Sequence, residues 1–293
     1  MEVFEFGYKF NKECVLCLGY FDALHKGHKT LINSAKKTAN KLGVSLGVVA
    51  FLGGKSKGDV FTFFERLKLL KLLGVDFVIY ASLTPEFMAI KSEEFTKILF
   101  ESYNVKSVFC GFDFTYGFKA EGNANTLKKS ALNYGVSVTV VEKVLDGFDQ
   151  KISTTLIKNE LLNGNIKRVN ELLGGNYFIT EKVVKGKNLG AKLNFPTINM
   201  VLSSDKLCLK HGVYLTFVII ENKLYSSITN VGKQPTFNGN NCVIETYINN
   251  FNGDLYDKFI TVYFVDYIRE VKTFNSQEEL VNQLLKDKEL LND

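Results

Sequence analysis

The hydrophobic pattern of this chain changes period near residue 173, and that change restricts it to two architectures in series. Ahead of it, short apolar runs alternate with helix-spaced ones. Cys14–Leu18, Leu46–Phe51, Phe77–Tyr80, Ser107–Cys110 and Ser137–Val141 read as strands. Helices are predicted through Leu31, Ile32, Ala35, Ala39 and Leu42, over Thr62–Leu73 with Gly74 as the stop, and from Ser92 as a cap toward Tyr103. Another is predicted near Asn125–Tyr134, with Gly135 behind it, and two short ones over Thr154–Asn163 and Ile166–Leu173. Such alternation predicts an α/β domain, a parallel sheet wrapped by helices, with ligands at the carboxyl ends of its strands. From Gly174 onward the texture is serial strands parted by Gly and Asn turns: Tyr177–Val184, Val213–Ile220, Leu224–Val231, Val243–Ile248 and Ile260–Ile268. A single helical pattern, Ser276–Leu291, closes the chain. This predicts a small antiparallel barrel with a terminal helix, and hence two domains, 1–172 and 173–293.

Bulk properties narrow the class. Apolar residues make up 46% and charged ones 23% of 293 residues, enough for two hydrophobic cores in a soluble protein. The net charge of +5 comes without a dense basic run, so nucleic acid is not an expected partner. Runs such as Val213–Ile220 are too short to cross a bilayer, and Met1–Phe10 lacks the order of a signal peptide. The five cysteines do not suggest a disulfide framework. Cys14 and Cys17 lie in a strand at odd spacing, pointing to opposite faces, as core residues of a reducing, cytoplasmic compartment.

Two of the three histidines sit three residues apart in Gly19-Tyr20-Phe21-Asp22-Ala23-Leu24-His25-Lys26-Gly27-His28. The strand before and the helix after place His-x-Gly-His at a helix N-terminus, where unpaired N–H groups and the positive dipole end favour a phosphate. Imidazoles donate hydrogen bonds to phosphate oxygens, and Gly27 permits close backbone approach. A metal pair is the competing reading, but the segment offers no third Cys or His. Gly54-Lys55-Ser56 imitates the end of a P-loop; the earlier glycine it needs would fall at Val49, and no helix signal follows Ser56.

More segments fall in a fixed order. Gly111-Phe112-Asp113-Phe114-Thr115-Tyr116-Gly117 precedes Gly122-Asn123, and Ile152-Ser153-Thr154-Thr155-Leu156-Ile157-Lys158 comes later. Glu65-Arg66-Leu67 and Leu72-Leu73-Gly74-Val75-Asp76 lie between them and the histidines. The second half carries Phe195-Pro196-Thr197-Ile198-Asn199, Gly212-Val213-Tyr214, Asn230-Val231-Gly232 and Pro235-Thr236-Phe237. Glu245, Gly253-Asp254-Leu255-Tyr256 and Ile268-Arg269 follow. In this order the chain closely resembles the bacterial bifunctional riboflavin kinase/FAD synthetase family over nearly its whole length.

The resemblance implies a Rossmann-like nucleotidyltransferase domain that adenylylates FMN to FAD, and a riboflavin kinase barrel that phosphorylates riboflavin to FMN. It implies ATP as co-substrate, Mg²⁺ as cofactor, and riboflavin, FMN and FAD as the other ligands, for a monomer or weak homo-oligomer without a membrane partner. In the first domain Gly19, Phe21, Asp22, His25, Gly27, His28, Asp113, Ser153, Thr154 and Lys158 would form the ATP site, with His25 and His28 catalytic. In the second, Gly186, Gly190, Lys192, Pro196, Thr197, Asn199, Asn230 and Arg269 would bind ATP and flavin. Thr197 and Asn199 would hold Mg²⁺, Arg269 would help neutralise charge, and Glu245 would be the general base.

The chain also departs from the family pattern. Ala23 replaces a glycine, Lys158 an arginine, Asn194 a further glycine, and Ala191-Lys192 stands near another arginine position. Phe51-Leu52-Gly53-Gly54-Lys55 occupies the place of a Pro-His-Pro segment. These departures keep two alternatives in view: a riboflavin kinase with a degenerate nucleotide-binding first domain, and a flavin- or nucleotide-binding regulator without turnover.

Overall fold

The computed structural model describes residues 1–53, 58–186, 190, 193, 195–233 and 242–291. Gly54-Lys55-Ser56, Ala191, Lys192, Asn194 and Pro235-Thr236-Phe237 lie outside the described residues. Two compact units divide the chain: Met1–Lys57 with Phe63–Ser153, and Gly58–Thr62 with Thr154–Asp293. The two short helices after Ser153 therefore cluster with the second unit, ahead of residue 173.

In the first unit, strands β1 (Glu2–Glu5), β2 (Phe10–Gly19), β3 (Ser45–Leu52), β4 (Phe77–Ser82) and β5 (Tyr103–Gly111) enter one six-stranded sheet. A two-stranded ribbon, β6 (Thr115–Tyr116) with β7 (Gly122–Asn123), precedes the last sheet strand, β8 (Ser137–Val141). The order is β1-β4-β3-β2-β5-β8, and every pairing in it is parallel. From β2 the chain adds strands on one side, β3 and β4, then returns to add β5 and β8 on the other. The carboxyl ends of β2 and β5 therefore flank the topological switch point, the place where such sheets open a ligand crevice.

Helices α1 (Lys26–Leu42), α2 (Phe63–Leu72), α3 (Pro85–Met88), α4 (Ser92–Ser102) and α5 (Ala124–Leu132) connect these strands. The period-2 alternation of β2 sorts the core into two layers. Cys14, Leu16 and Leu18 pack with Phe95 and Leu99 of α4 and Leu127 of α5. Val15 and Cys17 pack with Leu31, Ile32, Ala35 and Ala39 of α1. The predicted opposition of Cys14 and Cys17 is thus what the sheet shows.

Helix α1 runs through Leu42 as the spacing predicts, with Leu42, its last residue, 50% exposed. Two local expectations need correction. Ser92 is the first residue of α4 rather than its cap; Lys91 is the N-cap, and the Ser92 N–H donates to Glu121 Oε1 at 2.8 Å. The cysteines divide. Cys14, Cys17 and Cys110 are free and buried, whereas Cys208 and Cys242, separated by 34 positions, are joined as a disulfide. A pairing across that separation leaves no local trace in the sequence.

In the second unit, α6 (Thr154–Asn163) and α7 (Ile166–Leu173) lead into β9 (Phe178–Val184), β10 (Thr197–Val201), β11 (Gly212–Ile220), β12 (Lys223–Lys233), β13 (Cys242–Ile248) and β14 (Phe259–Arg269). These close into an antiparallel barrel in the order β10-β13-β12-β11-β14-β9. Inside it a buried hydroxyl ladder replaces part of the apolar core: Thr216 Oγ1 lies 2.7 Å from Ser227 Oγ and 2.8 Å from Thr229 Oγ1, and Thr229 lies 2.9 Å from Thr246. A hydroxyl can both donate and accept, so each of the four has a hydrogen-bond partner within the ladder. Helix α8 (Gln277–Glu289), N-capped by Ser276, ends the described chain.

Candidate functional site

The first cluster forms at the end of β2. Phe21 and Leu24 adopt positive φ, 50° and 44°, although both are bulky, and both are essentially buried. Side chains of this size enter the left-handed region only where packing holds them, a kind of strain that concentrates at functional turns. Between them Asp22 and Ala23 are fully buried. The turn delivers His25 to the N-cap of α1. Its Nδ1 accepts from the His28 N–H at 3.3 Å, and its carbonyl accepts the first helical bond from Lys29 N–H at 2.9 Å.

Because Nδ1 accepts, the neutral His25 ring carries its proton on Nε2, which becomes the donor nitrogen. The two imidazoles stack at 3.8 Å between centroids, 18° apart. A Cβ on Gly27 would lie 3.0 Å from Cε1 and 3.1 Å from Nδ1 of His25, so glycine here leaves room for the capping ring. Lys29 stands one turn on, and burial, with Lys26 adding repulsion, holds its ammonium below the ordinary lysine range. The result is a cation-rich helix start at a sheet switch point.

Other predicted residues of this half are more dispersed. Gly19 ends β2, and Asp113 follows β5, on the opposite side of the switch point. The Asp113 carboxylate pairs with Lys151 at 2.5 Å, a partner that the motif alone does not reveal. Ser153 ends the first unit, and Thr154 opens α6 in the second. Lys158, also in α6, is 7% exposed and donates from Nζ to the Gly58 carbonyl.

Arg66, in the Glu65-Arg66-Leu67 segment, has a structural role. It is 2% exposed, and its Nη1 donates to the carbonyls of Tyr20 and Phe51 at 3.2 Å each. It therefore ties the histidine turn to the end of β3. Tyr20 and Phe51 also border a cavity of about 400 Å³ with Phe87, Phe95 and Tyr116. This aromatic pocket carries no short motif, since its rings come from separate strands and helices.

The second cluster is more compact. Gly190, Thr197, Asn199, Asn230, Glu245 and Arg269 all border one cavity of about 370 Å³ in the second unit. Register explains the convergence. Asn199 pairs with Glu245 across β10 and β13, and Glu245 pairs with Asn230 across β13 and β12. One rung higher, Thr197 and Ile228 both pair with Tyr247. Alternation puts 197 and 199, 228 and 230, and 245 and 247 on one face.

The glycines complete this wall. A Cβ on Gly186 would collide with the Asn199 amide, and one on Gly190 would come within 3.4 Å of Thr197 Oγ1. Asn199 Nδ2 donates to the Thr197 carbonyl at 3.4 Å, leaving Oδ1 as the amide's acceptor. Pro196 does not border this cavity. With Thr197 it borders a second one, of about 300 Å³, so Thr197 stands on the wall of both. Lys192 lies outside the described residues.

Arg269 borders the same cavity and also holds a partner in the terminal helix. Its guanidinium is bidentate with Asp287 of α8, Nε to Oδ1 at 3.0 Å and Nη2 to Oδ2 at 2.5 Å. The pair fastens the terminal helix over the cavity, where Leu280 and Leu284 supply apolar lining. Nothing in the sequence singles out Asp287, one of several acids in a helix patterned like any exposed one.

A parallel sheet with a phosphate-ready helix start in one unit, and in the other a barrel whose cavity is bordered by Thr197, Asn199, Asn230 and Glu245, define a transferase with two phosphate-handling units. The chain belongs to the bifunctional riboflavin kinase/FMN adenylyltransferase family. It matches the FAD synthetase family over residues 8–156 and the Riboflavin kinase family over residues 173–293. The bifunctional riboflavin kinase/FMN adenylyltransferase of Bacillus subtilis (strain 168) is 32% identical over 287 residues, covering 94% of this chain and 90% of that one. The Escherichia coli (strain K12) protein of the same description is 29% identical over 284 residues, with 94% and 90% covered.

A solved structure described as a macrolide-efflux protein from Streptococcus pneumoniae superposes with a TM-score of 0.88 at 30% identity, covering 100% of this chain and 99% of that one. Its description and the family disagree about function. Among the described residues no helix is long and apolar enough to cross a membrane.

Proposed function

We propose that the second unit transfers the γ-phosphoryl group of ATP to the terminal hydroxyl of the riboflavin side chain. The first unit then joins the resulting FMN to AMP, giving FAD. The observation that carries the kinase assignment is the Asn199–Glu245–Asn230 rung, three polar residues facing an otherwise largely apolar cavity. A flavin ring suits the apolar wall, and Glu245 suits the hydroxyl. The carboxylate takes the hydroxyl proton as the oxygen attacks the γ-phosphorus, and ADP leaves with the broken P–O bond's electrons. The second cavity, sharing Thr197, suits the nucleotide, so the reacting groups meet at that residue.

The donor set suits Mg²⁺: a threonine hydroxyl and an amide oxygen, both hard ligands, beside glycines whose Cβ atoms would fill the space. Thr197 and Asn199 would hold the ion, which when bound offsets charge on the transferring phosphates.

In the first unit, an FMN phosphate oxygen attacks the α-phosphorus of ATP and pyrophosphate departs. No covalent protein intermediate is needed, so positioning and charge stabilisation carry the step. The helix start with His25 Nε2–H and His28 receives the ATP phosphates. The aromatic cavity bordered by Tyr20, Phe51 and Phe95 suits the flavin ring. In this reading the chain works in the cytoplasm as a monomer or weak homo-oligomer, without nucleic acid.

The test is direct. The protein is incubated with Mg-ATP and riboflavin, then separately with Mg-ATP and FMN, and the flavins are resolved by chromatography. Both FMN and FAD are expected. FMN without FAD would remove the adenylyltransferase assignment, and neither product would leave a binding regulator.

A further inference from the structure

Outside both sites, the Sγ atoms of Cys208 and Cys242 and a ring nitrogen of His211 lie within 4.8 Å of one another. The geometry points to a site for one thiophilic divalent cation of the zinc class, formed by these three residues when the Cys208–Cys242 disulfide is reduced. Two thiolates and an imidazole are the donor set that zinc favours, and together they neutralise its charge.

The distances agree with that chemistry. In a tetrahedral zinc site sulfur and nitrogen ligands stand roughly 3.5 Å apart, and Cys208 Sγ lies 3.7 Å from His211 Nε2. The cysteine Cα atoms are 6.3 Å apart, so side-chain rotation alone can part the sulfurs enough to seat an ion. Cys242 is buried, Cys208 half-buried and His211 exposed, which leaves the fourth position facing solvent.

The ligands also keep their places without the S–S bond. Ahead of Cys208, Lys206 is 4% exposed, donates to the Phe178 carbonyl at 3.1 Å and lies 5.1 Å from the Tyr177 ring centroid. Leu207 N–H donates to the Asp59 carbonyl at 2.8 Å. After it, Leu209 is buried, Lys210 N–H donates to the Leu161 carbonyl at 3.1 Å, and the Tyr214 hydroxyl donates to the Lys210 carbonyl. Cys242 belongs to the β12–β13 ladder opposite Lys233, and its carbonyl accepts from Leu202 N–H at 2.9 Å. Two separately anchored segments therefore present the ligands, the preorganisation a metal site requires.

Opening the disulfide takes two electrons and two protons from a dithiol reductant, which leaves as its own disulfide. Metal binding then displaces both thiol protons to solvent.

The full-length protein, reduced with excess dithiol and freed of it under argon, is equilibrated with Zn²⁺ and passed through a desalting column. It should retain one zinc per chain, and Co²⁺ in its place should give thiolate-to-cobalt charge-transfer absorption. Cys208→Ser and Cys242→Ser should each abolish both signals. His211→Ala should weaken zinc binding by more than about tenfold, the scale that even an outer-shell partner supplies. In the unmodified chain, zinc should shield Cys208 and Cys242 from iodoacetamide, located by peptide mass; this readout does not depend on a variant folding. Retention no greater than in the Cys208→Ser protein, or equal alkylation of both cysteines with and without zinc, would overturn the proposal. Unchanged affinity in His211→Ala would overturn the three-ligand site.

Discussion

Asn199 and Glu245 face each other as register partners across β10 and β13, so their side chains leave the barrel wall on one face as direct neighbours. In the proposed kinase reaction the amide oxygen binds and the carboxylate takes a proton. Glu245→Gln keeps the shape and removes the base. FMN formation from riboflavin should fall by about 10² to 10⁴-fold, the usual scale of general-base catalysis, while FAD formation from supplied FMN is unchanged. Chromatography of the two reactions decides it. An equal fall in both would mean that Glu245 does not belong to a separate kinase site.

The Arg269–Asp287 pair makes a stability prediction. Its side chains are only 15% and 4% exposed, and Gln283 Nε2 also donates to Asp287 Oδ1 at 2.9 Å. Asp287→Asn leaves a mostly buried guanidinium, 15% exposed, without its counter-charge and should cost about 3 kcal/mol, the lower end of the range for a fully buried pair, seen as a lower thermal midpoint. Replacing both partners by apolar residues, R269M with D287L, should recover most of that loss. If the double variant were as unstable as the single one, the charge pair would not be what holds α8.

What the sequence disclosed followed local order. Helices α6 and α7 carry the predicted bounds, Thr154–Asn163 and Ile166–Leu173, because Gly164 and Gly174 stop them. The histidine turn was legible because strand end, glycine and helix start are contiguous. Thr197 and Asn199 were legible through their two-residue spacing within a familiar segment. Asp287, Arg66 and the aromatic cavity were not, since each acquires meaning only when distant elements meet. The Cys208–Cys242 link was hidden for the same reason. Strand β1 and helix α3 fell below the signal because four residues carry too little periodicity.

His25 has two roles that substitution can separate. Nδ1 caps α1, and Nε2–H is the donor proposed for the ATP phosphates. Asparagine is among the best N-caps but does not reach as far as Nε2. His25→Asn should therefore keep the thermal midpoint near that of the unmodified chain while FAD formation drops by about 10² to 10³-fold, the usual worth of one transition-state donor. Riboflavin phosphorylation should be untouched. Full FAD synthesis in a stable His25→Asn protein would show the ring to be only a cap.

The parallel sheet should also set an alkaline limit on folding. Burial pushes the Cys14 thiol from 9.0 up to about 12, with Lys106 opposing, and the Cys110 thiol from 9.0 up to about 11, with Lys128 opposing. Burial likewise raises the Tyr103 hydroxyl from 10.0 to about 12, against the Gly7 N–H that donates to it at 2.7 Å. Cys17 is raised as well. In every case the folded value lies above the unfolded one, so the folded chain holds protons that the unfolded chain sheds first. The stabilisation is complete below about pH 9, and stability falls as pH rises through the window from about 9 to 12, where the folded groups also ionise. The urea midpoint followed by circular dichroism should lose nothing to these groups at neutral pH and should decline across that window. Cys14→Ala removes one of the titrating groups and should make the decline shallower; an identical slope in that variant would remove Cys14 from the alkaline limit.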